Sequence, residues 1–88
     1  MPYYIAVYDM NEKRVGKALK LFRRYLHWVQ NSVFEGELTR GQFARLQHEA
    51  ETLMESGEDS IIFYELRDER YADRRVLGTE RGNRSNFL

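Results

Sequence analysis

The chain has 88 residues, with 14 Lys/Arg balancing 14 Asp/Glu and no cysteine, so it forms one small domain that buries only about 60 to 65% of the surface its unfolded state exposes and gains from a partner. Without cysteine, disulfides and thiolate metal sites are excluded and a reducing compartment is permitted. No apolar run is long enough to span a membrane, and the start MPYYIAVYDMNEK lacks a signal peptide's basic head and cleavage site, so the expected location is cytoplasmic.

The first predicted element is a strand, YYIAVYDM. Tyr, Ile and Val dominate it, and both alternate faces, Tyr3/Ile5/Val7 and Tyr4/Ala6/Tyr8, are apolar enough to be covered. Asn11 can cap a following helix in which Val15, Ala18, Leu19, Phe22 and Leu26 recur at helical spacing. Lys13, Lys17, Lys20 and Arg24 lie together on its opposite side. HWVQNSVFEGEL is β-rich and broken by Asn31 and Ser32, which predicts a bulged strand or two short ones.

A second helix begins after Thr39, where Gln42 completes a capping box and Leu38 with Phe43 matches a hydrophobic staple. Phe43, Leu46, Ala50 and Leu53 form its apolar stripe, and Gly57 is the expected stop. SIIFYEL is the next strand, RDER a turn and YADRRVL a polar edge strand. The boundaries expected are a domain over residues 1–78 and a tail over 79–88.

Strand, helix, split strand, helix, strand predicts an α+β, ferredoxin-like sandwich with two helices on one face of an antiparallel sheet. Tyr3, Tyr4, Tyr8, Phe34, Phe63 and Tyr64 exceed what two short helices can bury, so a homodimer with sheets facing each other is expected.

The zero net charge conceals an asymmetry. Residues 1–48 hold eight Lys/Arg against four Asp/Glu, and residues 49–88 hold six against ten, so the halves carry +4 and −4. Lys13, Arg14, Lys17, Lys20, Arg23 and Arg24 cluster where Glu12 is the only acid. Crowded cations repel one another unless an anion is present. The cluster, with Lys13, Arg14, Lys17, Lys20 and Arg24 as its contacts, is therefore a candidate nucleic-acid surface, against the plainer reading of a solvated helix face. Double-stranded DNA is favoured over single-stranded RNA, because the paired aromatics of an RNA-recognition sheet are missing.

Asp9 ends the first strand. From the residues alone it is either a polar terminus that helps cap the next helix or a ligand for a hard cation such as Mg²⁺, which needs only one or two protein carboxylates. His27 and His48 have no spacing that suggests a zinc site. Ser32 could bond a phosphate or the local backbone, Tyr8 could orient a phosphate or pack at an interface, and Trp28 could stack on a base or simply pack.

YYIAVYDM, the basic helix and VQNSVFEGEL, followed by DSIIFYEL and a terminal NFL, resemble the small CRISPR-associated adaptation protein, the second of the two core spacer-acquisition proteins, also described as a CRISPR-associated endoribonuclease. The resemblance covers nearly the whole chain. It implies a ferredoxin-like homodimer whose two Asp9 carboxylates bind Mg²⁺ at the dyad. It also implies a role in capturing foreign DNA, with the dimer bridging its integrase partner. Weak Mg²⁺-dependent endonuclease activity, with Tyr8 and Ser32 positioning the substrate, is a further expectation. The alternatives are a protein that is primarily an endoribonuclease or DNase, and a regulatory dimer that binds a small ligand, which the lack of a Gly-rich loop disfavours. The tail is expected to add to a partner sheet or to dock on the integrase, anchored by Phe87 and Leu88.

Overall fold

The structure, a computed structural model, describes residues 1–82. Strand β1 (Tyr3–Asp9) leads to helix α1 (Glu12–Arg23), strands β2 (His27–Gln30) and β3 (Val33–Glu37), helix α2 (Arg40–Leu53), strand β4 (Ser60–Leu66) and a 3-10 turn (Glu69–Tyr71). The sheet order is β2-β3-β1-β4 with all neighbours antiparallel, the ferredoxin-like α+β arrangement expected. The strand that is apolar on both faces, β1, takes an inner position.

Alternation along β1 divides its side chains. Tyr4, Ala6 and Tyr8 are buried in the core that also holds Ala18, Leu21 and Phe22 of α1 and Leu46 and Ala50 of α2. Tyr4 stacks on Phe43 with centroids 4.1 Å apart, Tyr8 lies 5.1 Å from Phe22, and Phe43 meets Phe63 edge-on at 5.1 Å. Tyr3, Ile5, Val7 and Asp9 share the other face with Val33 and Glu35 of β3 and Ile62 and Tyr64 of β4. No helix among the described residues covers that face.

Local chemistry accounts for the helix starts. The Asn11 side chain accepts from the Lys13 amide at 2.9 Å, and in a complete capping box the Thr39 hydroxyl accepts from the Gln42 amide at 3.0 Å while the Gln42 side chain accepts from the Thr39 amide at 2.8 Å. The stripe on α1 is rotated from expectation: Val15 is 42% exposed and Leu21 is buried in its place. Leu26 is buried but lies in the turn beyond the helix. Gly57 does not stop α2, which ends at Leu53 with Met54 extended. The helix ends early because the Asp59 carboxylate takes the Glu55 amide at 2.9 Å, diverting a donor that helix propagation needs.

HWVQNSVFEGEL becomes two strands with a bulge between Trp28 and Gln30. Asn31 makes the tight reversal at φ 42°, a conformation asparagine tolerates, and its carbonyl accepts from Trp28 Nε1 at 2.9 Å. The polar edge strand expected at YADRRVL is absent. Asp68 caps the 3-10 turn, and over residues 72–82 the chain runs without regular structure. Arg74 Nε binds Glu35 at 3.0 Å and its Nη1 binds Glu80 at 2.8 Å, which holds this segment over Tyr3 and Glu35 instead of along an edge. Burial there, reinforced by Glu35 and Glu69, pushes the Tyr3 hydroxyl up to about 12. At Gly82 a Cβ would sit 1.8 Å from the Trp28 carbonyl oxygen, so this strap passes in close contact with β2. The proposed anchors Phe87 and Leu88 lie outside the described residues.

Candidate metal and nucleic-acid site at the end of the first strand

Asp9 emerges where β1 leaves the sheet, opposite Ser60 of β4, and its side chain is exposed. Parity puts it on the uncovered face beyond Val7, with Ile62 and Tyr64 exposed at 49% and 54% on the neighbouring strand. Among the described residues it has no ion-pair partner, and no three His, Asp or Glu residues gather into a metal cluster. At this strand end the described residues thus offer one carboxylate per chain. That donor fits a hard divalent cation provided a second chain contributes its own.

The other expected catalytic groups separate. Ser32 sits in the turn beside β1, where its carbonyl accepts from the Tyr8 amide at 3.1 Å. The Tyr8 ring faces the helices and stacks near Phe34 at 6.1 Å, on the side of the sheet opposite Asp9. Its burial pushes the hydroxyl above its ordinary value, so it is a neutral phenol at physiological pH and no base. Alternation separates neighbours in a strand that sequence adjacency had grouped.

The cationic cluster divides in a similar way. The Arg14 side chain is largely buried, with Nε 2.6 Å from Asp59 and Nη2 2.9 Å from Glu58, so this expected phosphate contact is neutralised inside the chain. Asp59 is held further by the amides of Asn11 at 2.8 Å and Glu55 at 2.9 Å. The Arg14 hydrogen bond above all, with these two amides, holds its carboxyl well below the usual range despite burial. The cluster fastens the α2–β4 loop to the start of α1, two residues beyond Asp9. Nothing in the composition announces it, although the Asn-x-x-Arg and Glu-Asp-Ser pieces are visible in retrospect.

Arg24 is also engaged, 2.7 Å from Glu49, which in turn accepts from the Tyr25 hydroxyl. Arg23 lies 5.8 Å over the half-buried Trp28 ring. Lys13, Lys17 and Lys20 remain exposed, with no acidic partner among the described residues. The charge asymmetry read along the chain is thus partly cancelled in space, because acids from the second half pair with two of the six cations. Three lysines keep the sign.

The fold and site together define a small ferredoxin-like protein with a strand-end carboxylate on an uncovered sheet face and a cationic helix behind it. The CRISPR associated protein Cas2 family profile matches residues 1–74, and the chain belongs to that family. It is 45% identical to a CRISPR-associated endoribonuclease Cas2 of Dictyoglomus turgidum over 98% of this chain and 99% of the relative. It is 49% identical to the protein of the same name from Thermotoga maritima over 91% and 92%. A crystal structure of a Cas2 protein superposes with a TM-score of 0.84 at 38% identity, covering 91% of this chain and 90% of the other. Streptococcus pyogenes Cas2 at pH 6.5 gives 0.77 at 32%, covering 86% and 99%. No helix among the described residues is long and apolar enough to cross a membrane.

Proposed function

We propose that the protein is a homodimeric CRISPR adaptation factor that binds duplex DNA, bridges an integrase partner and has weak Mg²⁺-dependent endonuclease activity. The observation that supports this best is the position of Asp9 on the open face, at its margin and next to the exposed Ile62. An isologous pairing of two such faces covers their apolar residues and brings two Asp9 carboxylates toward one axis. The names of the curated relatives favour a nuclease, with RNA as a substrate to test beside DNA.

In the dimer the paired Asp9 carboxylates would hold Mg²⁺, which supplies phosphate polarisation and acidification of a bound water. The chain's own residues do the positioning. Ser60 is the cross-strand neighbour of Asp9, Ser32 lies in the turn beside the strand exit, and Tyr8 fixes that exit from the core side through its ring and its amide bond to the Ser32 carbonyl. No histidine lies in either strand end at this site, so there is no dedicated general base and cleavage should be slow.

Purified parent and Asp9→Ala proteins are to be compared on labelled RNA and duplex DNA with Mg²⁺ or EDTA, with partner-assisted integration run in parallel. The variant should lose all Mg²⁺-dependent cleavage and retain dimerisation, DNA binding and integration. Loss of integration in a variant that still dimerises would sink the scaffold reading, and cleavage that persists would remove Asp9 from the mechanism.

A further inference from the structure

Gly16 lies exposed in the middle of α1. Its neighbours on the adjoining turns are Glu12 at i−4, Lys13 at i−3, the half-buried Leu19 at i+3 and Lys20 at i+4, and Lys17 follows it directly. Nothing inside the chain requires a glycine there. A Cβ would meet no heavy atom within 4 Å, and the backbone has no positive φ. Glycine is nevertheless the least favourable helix-interior residue after proline.

The three lysines add a second cost at the same place. They repel one another on one face with no acidic partner among the described residues, whereas Arg14 and Arg24 beside them are paired. A polyanion coming against the helix relieves the repulsion, and the missing side chain lets it come close. The lysine-glycine arc has no apolar residue to form the centre of a protein interface. Flexible ammonium groups suit phosphates approached from several directions better than they suit a fixed carboxylate.

We propose that Gly16 is a notch in the cationic face that admits the sugar-phosphate backbone of a DNA duplex against the main chain of α1, with Lys13, Lys17 and Lys20 around the phosphates. The proposal rests on the reading of this face as a duplex-binding surface and adds a shape requirement to it.

Gly16→Ala and Gly16→Gln are to be compared with the parent for binding to a short mixed-sequence duplex over a salt series, with thermal melting alongside. Gly16→Ala should raise Tm by a few degrees, because alanine is the better helix former and has room. Binding should weaken all the same, by about tenfold for Gly16→Gln, because the added side chain holds the sugar-phosphate backbone away from the helix while every phosphate contact must stretch to reach it. The salt slope should stay as in the parent, since every lysine remains. Folded variants that bind as the parent does overturn the notch. A fall in Tm for Gly16→Ala also overturns it, because it reveals an internal need for glycine. Lys13/Lys17/Lys20→Ala tests the underlying reading separately: it should flatten the salt slope by about one unit for each phosphate that is no longer neutralised. Unchanged affinity and slope in that variant would mean the cationic face is merely solvated, a failure distinct from that of the notch.

Discussion

The two faces of the sheet use the same strands in opposite ways. On the helix side, Tyr4, Tyr8, Phe34 and Phe63 meet Phe22, Phe43 and Leu46 in a closed aromatic core. On the other side, among the described residues, Ile62 and Tyr64 stay exposed, the segment around Arg74 lies over the Tyr3 end, and Asp9 has no ion-pair partner. The first face buries its apolar side chains within the chain, and the second leaves Ile62 and Tyr64 half-exposed. Substitutions on the closed face should therefore be felt as stability, and those on the open face as assembly and chemistry.

The largest effect is expected from the closed face. Phe22→Ala removes a fully buried ring at the junction of α1 with β1, β3 and β4 and should cost about 3 to 5 kcal/mol in denaturant unfolding. A loss below about 1 kcal/mol would show that this core is loosely packed.

Next comes the cluster that ties the α2–β4 loop to the start of α1. Asp59→Ala leaves Arg14 without its main partner and frees the amides of Asn11 and Glu55, and it should lower Tm by at least about 10 °C. The Asp59 carboxyl is held below its ordinary value in the folded chain, so its contribution is complete above about pH 4 and is lost as acid protonates the folded form. The parent should therefore lose stability on acidification more steeply than Asp59→Ala. Parallel melting curves for the two down to pH 3 would contradict this role for the cluster.

On the open face, Ile62→Asp should change the oligomeric state more than the core. Light scattering at low micromolar concentration should show a dimer for the parent and loss of the dimer for the variant. A dimer that survives this substitution would place the interface elsewhere.

The smallest effect on stability is expected at Asp9. As an exposed residue with no partner among the described residues, its replacement by Ala should move stability by no more than about 0.5 kcal/mol while removing metal-dependent cleavage. A large loss of stability would show that Asp9 is a structural strand terminus.

Much of the fold was legible because it rests on short-range chemistry. The Asn11 cap, the Thr39/Gln42 box, the break at Asn31 and the seven residues of β4 all depend on groups within a few positions of one another. Expectations failed where a distant group intervened. YADRRVL lost its strand because Arg74 found Glu35, and Arg14 was drawn inward by a carboxylate 45 residues away, whereas Gly57 lost its role to a local competitor, the Asp59 carboxylate that captured the Glu55 amide four residues before it.

Periodicity and local hydrogen bonding determined the element order, the helix starts and the amphipathic character of α1, since each is settled within one or two turns of chain. Which basic residues stay available was decided only in the folded molecule. An ion pair depends on where the second half of the chain places its acids, and a list of charges along the sequence contains no such distances. Tertiary structure likewise separated Tyr8 from Asp9. The pleat sends neighbours to opposite sides, but only the packing of α1 and α2 determines which side closes and which stays open.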